Sequence, residues 1–142
     1  MQLRCRFATL SEVAVLAPMN AQLIRDEGHR NRMTVPELEQ RMSSWLAGEY
    51  RAVLFETGSQ VAGYALFRNE PEHVYLRQLF VTPELRRQGV GRAALAWLWA
   101  NAWSGRQHLR IDVLLNNVAA QQFWRAVGFR DYCLVMEMER PR

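Results

Sequence analysis

The chain has 142 residues, 49% hydrophobic and 23% charged, and carries a net charge of +4. Those values fit one globular α/β-sized domain spanning residues 1–142 with a single core, and they exclude a disordered or fibrous chain. No window approaches the roughly 18 consecutive apolar residues of a membrane helix, and the N-terminus lacks the apolar core of an export signal, so the expected setting is cytoplasmic with no membrane partner.

In chain order, "RCRFAT" (Arg4 to Thr9) alternates as a first strand. "TLSE" is a capping box that opens a helix with Val13, Leu16, Met19, Leu23 and Ile24 on one face, stopping near Gly28. "TVPE" is a second capping box, leading into a helix with Leu38, Met42, Trp45 and Leu46 aligned and Gly48 at its end. "YRAVLFE" and "VAGYALFR" form a hairpin across "TGSQ", and "HVYLRQLFV" returns after the turn at "NEPE". A third helix is expected from Gly89 to Trp103, then a strand at "LRIDVLL", a helix at "NVAAQQFWRAV" stopped by Gly128, and a last strand at "YCLVMEME". The expected fold is therefore a mixed α/β sheet in the order β-α-α-β-β-β-α-β-α-β. Its crossover helix makes the strands on either side parallel if they are neighbours.

Cys5 and Cys133 are far apart, and His29, His73 and His108 are scattered, so no metal site is expected. The pI of about 9.7 raises nucleic-acid binding, but all 18 basic residues are arginines spread along the chain. The densest cluster, "RRQGVGR", alternates with glycine rather than with aromatic residues, which suits a small phosphate ligand and not a nucleic acid. It lies where a strand hands over to a helix. The first N–H groups of a helix have no intrahelical partner and sit at the positive end of its dipole. Gly89 and Gly91 leave those amides uncovered, and Arg86, Arg87 and Arg92 add charged donors. The segment is neither a P-loop nor a dinucleotide fingerprint, since no Lys-Ser/Thr pair and no third glycine follow.

Two linked stretches, "LFVTPELRRQGVGRAAL" and "LRIDVLLNNVAAQQFWRAVGF", resemble the acyl-CoA-binding core of the GNAT superfamily of N-acetyltransferases. The preceding strand, two helices and hairpin fit as well, so the resemblance covers essentially the whole chain. It implies acetyl-CoA as acyl donor, with the pyrophosphate on the amides of Arg87, Gln88, Gly89, Val90, Gly91 and Arg92. It also implies that the pantetheine arm adds as a pseudo-strand along Leu79, Phe80 and Val81, where two parallel strands splay at the cofactor cleft. Asn117 matches the family asparagine that bonds the cofactor arm, while Phe123, Gly128 and Phe129 match packing positions.

The chemistry needs a deprotonated amine, a polarised thioester carbonyl and an exit for the thiolate. A strand N–H at or near Val81 can polarise the carbonyl. The family tyrosine that protonates the leaving thiol is replaced by Trp124, whose indole N–H is far too weak an acid. Expelling a thiolate of pKa near 8.5 at pH 7 costs only about 2 kcal/mol, so water or the amine's own proton suffices; Tyr132 and Tyr75 are substitute acids. Two bases compete: Asp112, a lone carboxylate in an apolar strand, and the pair Asp26/Glu27 in "RDEGHRNR", with Glu27 preferred. Both have a structural alternative, as an outward or Arg-paired carboxylate and as a solvated loop. No Cys or Ser stands as a nucleophile, so transfer is expected to be direct, to a primary amine of a small molecule or peptide. The alternative is a CoA-binding sensor or regulator without transferase activity. Trp97, Trp99 and Trp103 make the third helix apolar almost all round, suiting a buried crossover or, second, a homodimer face.

Overall fold

The structure is a computed structural model, and it describes residues 2–142. Residues through Asp112 form one compact unit and Val113–Arg142 a second. The first unit holds a five-stranded sheet in the order β1-β2-β3-β4-β5, made of β1 (Leu3–Phe7), β2 (Tyr50–Thr57), β3 (Gln60–Asn69), β4 (Val74–Val81) and β5 (Leu109–Arg110). Neighbours are antiparallel except β4 and β5, which run parallel across the crossover. Three helices belong to this unit: α1 (Val13–Glu27), α2 (Val35–Ala47) and α3 (Val90–Asn101).

The local signals place these elements. Thr34 Oγ1 accepts the Glu37 N–H at 3.3 Å, and Glu37 Oε1 accepts the Thr34 N–H at 2.8 Å, so both ends of the capping box close. Gly28 ends α1 with a φ of +64°, and the turn lets Gly28 and His29 donate to Arg25 and Ile24 carbonyls at 3.1 Å. Asp26 and Glu27 are thus the last two residues of α1 and not, as expected, part of the loop. The helix runs on until glycine supplies the left-handed turn.

The strands alternate between two cores. Tyr50, Ala52, Leu54, Tyr64, Leu66 and Phe80 pack with Val13, Leu16 and Leu23 of α1 and Met42 of α2. Val53, Phe55, Ala65 and Phe67 are buried on the alternate positions, and α3 buries Val90, Ala94, Leu95 and Leu98. Each such Leu or Phe contributes about 1.5–3 kcal/mol. Phe67 meets Trp103 edge to face at 5.4 Å and Phe7 meets Trp97 at 6.2 Å.

Three expectations are corrected. Trp103 lies past the end of α3, which stops at Asn101, and its ring is buried while Trp99 is 39% exposed. The strand "LRIDVLL" shrinks to Leu109–Arg110, paired only at Val74 and Tyr75. In the second unit the helix α4 (Val118–Ala126) forms, but "YCLVMEME" takes no regular structure, so the last element of the expected order is missing among the described residues. Alternation assigns faces; only a hydrogen-bonded ladder makes a strand, and none includes this segment.

Candidate functional site

The site is built on β4. Its parallel pairing with β5 covers only Val74 and Tyr75, while β4 continues to Val81. Thr82 N–H donates to Ala62 O at 2.8 Å, which turns Phe80 and Thr82 toward β3. By the two-residue period, the backbone groups of Leu79 and Val81 face the open edge. Of the three residues expected along the cofactor arm, Leu79 and Val81 present their backbone there; Phe80 instead pairs with Tyr64 and buries its ring.

Two features that the sequence did not disclose shape this edge. The β3–β4 register shifts between Leu66 and Phe67, leaving Arg77 as the extra residue of a bulge that bends β4. Opposite Val81 stands Gly63, where a Cβ would fall 1.9 Å from the Phe80 carbonyl oxygen. Only glycine lets the two backbones approach so closely. The isolated Gly in a strand pattern was the available signal.

After β4, a 3₁₀ turn (Pro83–Leu85) leads into the glycine–arginine segment. Arg87 has a φ of 62° and Gly89 a φ of 82°, so the chain turns twice into the left-handed region before α3 begins. Ala93 N–H is the first to find an intrahelical carbonyl, that of Gly89 at 3.0 Å, and no side chain caps α3. By contrast Thr34 caps α2 and Asn117 caps α4. Nothing lies within 4 Å of the position a Gly89 Cβ would take. Open N–H groups, open space and exposed Arg87 and Arg92 fit a phosphate-bearing group.

Arg86 has other partners. Its Nε donates to Val81 O at 2.8 Å and its Nη2 to Asp26 Oδ2 at 2.5 Å, tying the end of α1 to the end of β4. Asp26 also accepts from Gln22 Nε2 at 2.6 Å. Burial raises the Asp26 pKa, but the Arg86 and Gln22 hydrogen bonds outweigh it and hold the carboxyl below its ordinary value. Glu27 differs: burial, and then the charge of Asp26, push its carboxyl above the ordinary range. The two neighbouring carboxyls are thus shifted in opposite directions by their surroundings.

Beneath them, the fully buried Tyr64 donates its hydroxyl to Gln78 Oε1 at 2.7 Å. Burial drives the Tyr64 pKa well above its ordinary value, the Glu27 charge raises it further, and Arg41 opposes both. Asp112 is exposed and accepts the Tyr75 hydroxyl at 2.8 Å. Burial and this bond raise the Tyr75 pKa, making it a poorer acid. In the second unit, Asn117 Oδ1 accepts the Ala120 N–H at 3.2 Å. There Trp124 packs edge-on between Phe123 and Phe129, at 5.0 and 5.1 Å.

A mixed sheet with a parallel pair, an open strand edge and an uncapped helix behind it defines an α/β acyltransferase scaffold. The family model described as the acetyltransferase (GNAT) family matches residues 20–129, and the chain belongs to that family. Its acyl donor is acetyl-CoA. No curated protein matches significantly. Among solved structures, a possible acetyltransferase from Clostridium difficile 630 superposes with a TM-score of 0.80 at 14% identity, covering 100% of this chain and 99% of the other. The aminoglycoside N-acetyltransferase AAC(6')-Iy in complex with CoA gives a TM-score of 0.78 at 16% identity, over 98% and 95% of the chains. A predicted acetyltransferase from Clostridium acetobutylicum with acetyl-CoA gives 0.77 at 16% identity, over 97% and 96%.

Proposed function

We propose that the protein is an N-acetyltransferase that passes the acetyl group of acetyl-CoA directly to a primary amine of a small molecule or peptide. The observation that carries this reading is the open edge of β4 at Leu79 and Val81, leading straight into the uncapped start of α3. The amides from Arg87 to Arg92 hold the pyrophosphate, and the β4 edge aligns the cofactor arm.

Glu27 takes the proton of the acceptor ammonium, directly or through one water, since its carboxylate is basic enough to share that proton and sits on a rigid helix end. The free amine then attacks the thioester carbon. The Val81 N–H, aimed at the open edge, donates to the carbonyl oxygen as charge develops on it. The C–N bond forms, the C–S bond breaks, the thiolate leaves with the electron pair, and the surplus proton of the new amide nitrogen passes to it directly or through water. No dedicated acid is needed, because a thiolate of pKa near 8.5 lies only about 2 kcal/mol above its thiol at neutral pH. Trp124 then serves packing, and Asp112 holds Tyr75 in place. A cytoplasmic setting agrees with this activity; no helix among the described residues is long and apolar enough to cross a membrane.

Thiol release from acetyl-CoA, measured against amines that include amino acids, peptides, polyamines and aminoglycosides, tests the reading. Amine-dependent release supports it. Tight CoA binding with no release for any amine would favour the sensor reading.

A further inference from the structure

The face of the sheet beside Glu27 carries a second feature, which the acetyl-transfer chemistry leaves unused. Arg77, the bulged residue of β4, and Arg41 of α2 both lie over the ring of Trp45, with guanidinium carbons 4.7 and 4.3 Å from its centroid. Arg77 Nη1 and Arg68 Nη1 both donate to the Tyr50 hydroxyl, at 3.2 and 3.1 Å, which leaves that hydroxyl's own proton as a donor. Arg68 is paired with Glu70. None of the ion pairs among the described residues engages Arg41 or Arg77.

Arg41 is also short of partners. Its Nη2 donates to Asn20 Oδ1 at 3.2 Å, but its buried Nε has no acceptor, and neither has Nδ2 of the fully buried Asn20. Burial, and then the charge of Arg77, pull the Arg41 pKa down. Two like charges sharing one aromatic ring, with no carboxylate between them, are relieved by an anion from outside. Carboxylates do approach this cluster, but from its sides: Glu70 at Arg68, and Asp112 at Tyr75, whose ring Arg68 also covers.

The layout sets the distance to the chemistry. Arg77 precedes Val81 by four residues, roughly 13 Å along the strand, and Arg41 bonds Asn20, which lies roughly 10 Å along α1 from Glu27. Tyr64 feels the charges of both Glu27 and Arg41. One end of the face therefore takes a cation and the other an anion.

We infer that the acceptor is an amine that also carries a carboxylate, a short peptide, with its amine at Glu27 and its carboxylate held by Arg77, Arg41 and the Tyr50 hydroxyl. The inference rests on the acetyltransferase reading above. A polycationic acceptor meets two unneutralised guanidinium groups on this face and is disfavoured.

The test compares tri- and tetrapeptide acids with their C-terminal amides and with spermidine, by kcat/KM for acetylation. The acids should exceed their amides by about 10- to 100-fold, the range carried by one hydrogen bond to a charged group. Arg77→Gln, at an exposed position, should erase that difference by raising the acid's KM while leaving the KM for acetyl-CoA unchanged; Arg77→Lys should keep part of it. Amides or spermidine acetylated as well as the acids, or an unchanged preference in Arg77→Gln, would overturn this inference and leave the acetyltransferase standing. Failure to acetylate any amine would overturn both.

Discussion

Glu27 is the residue on which catalysis and stability pull in opposite directions. Its carboxyl is raised above the ordinary range by burial and by Asp26. A carboxyl raised on folding stabilises the protein below its unfolded pKa, near 4.3, and that contribution is lost as pH rises through the folded value. At neutral pH the ionised group is therefore a cost to the fold. Glu27→Gln should raise Tm at pH 7, should lose that advantage near pH 4, and should lower kcat by about 10²-fold or more. In the wild type, kcat should fall on acidification with an apparent pKa above that of a free glutamate. Calorimetric melts at the two pH values and a pH–rate profile check all three. Glu27 stood out as a candidate in the sequence because two carboxylates beside a glycine are conspicuous. Their opposite shifts were not legible there, since they depend on Arg86, far along the chain, choosing Asp26. Arg86, expected at the phosphate, is bonded here to Asp26 and to the Val81 carbonyl. Asp112→Asn, which breaks the bond to Tyr75, gives the comparison: a larger loss of kcat there than in Glu27→Gln would transfer the role of base to Asp112.

At the scale of elements, two glycines make opposite demands. Gly63 has no room: its Cβ would meet the Phe80 carbonyl at 1.9 Å, so Gly63→Ala must push β3 and β4 apart. Destabilisation of about 1–3 kcal/mol is expected, as for other overpacked sites, together with a lower kcat as the Val81 N–H shifts. Denaturant melts and steady-state rates measure both. Gly89 has room on every side, so Gly89→Asp should fold, with a modest cost for its φ of 82°, while placing a negative charge at the start of α3. Calorimetry should then show CoA bound about 10- to 100-fold more weakly, the loss that a charged contact carries. An unchanged affinity in the folded variant would remove the pyrophosphate from this turn. The turn itself was readable because glycine spacing, a strand before and a helix after are all local. The bulge at Arg77 and the Trp45–Arg77–Arg41 stack were not readable, because register and the packing of α2 on β4 bring together residues distant in sequence.

Across the whole molecule, the order of elements through α4 followed from periodicity and caps, and the strand at "YCLVMEME" did not form, because a ladder depends on a partner that alternation cannot name. The pI of about 9.7 raised a polyanion partner, against which the arginines' spread along the chain argued. In the structure several of the arginines are ion-paired: Arg6 with Glu12 and Glu56, Arg86 with Asp26, Arg125 with Asp131. Arg87 and Arg92 at the start of α3 and Arg41 and Arg77 over Trp45 take part in none of these pairs, and they stand at the two places where a small acidic group is proposed to lie. Mass spectrometry of one reaction, quantifying free CoA and acetylated amine together, tests the central claim most directly. The account predicts one acetylated amine for each CoA released by the wild type, with both falling together in Glu27→Gln. Acetyl-CoA bound and either left intact or hydrolysed, with no acetylated amine from any acceptor, would contradict it.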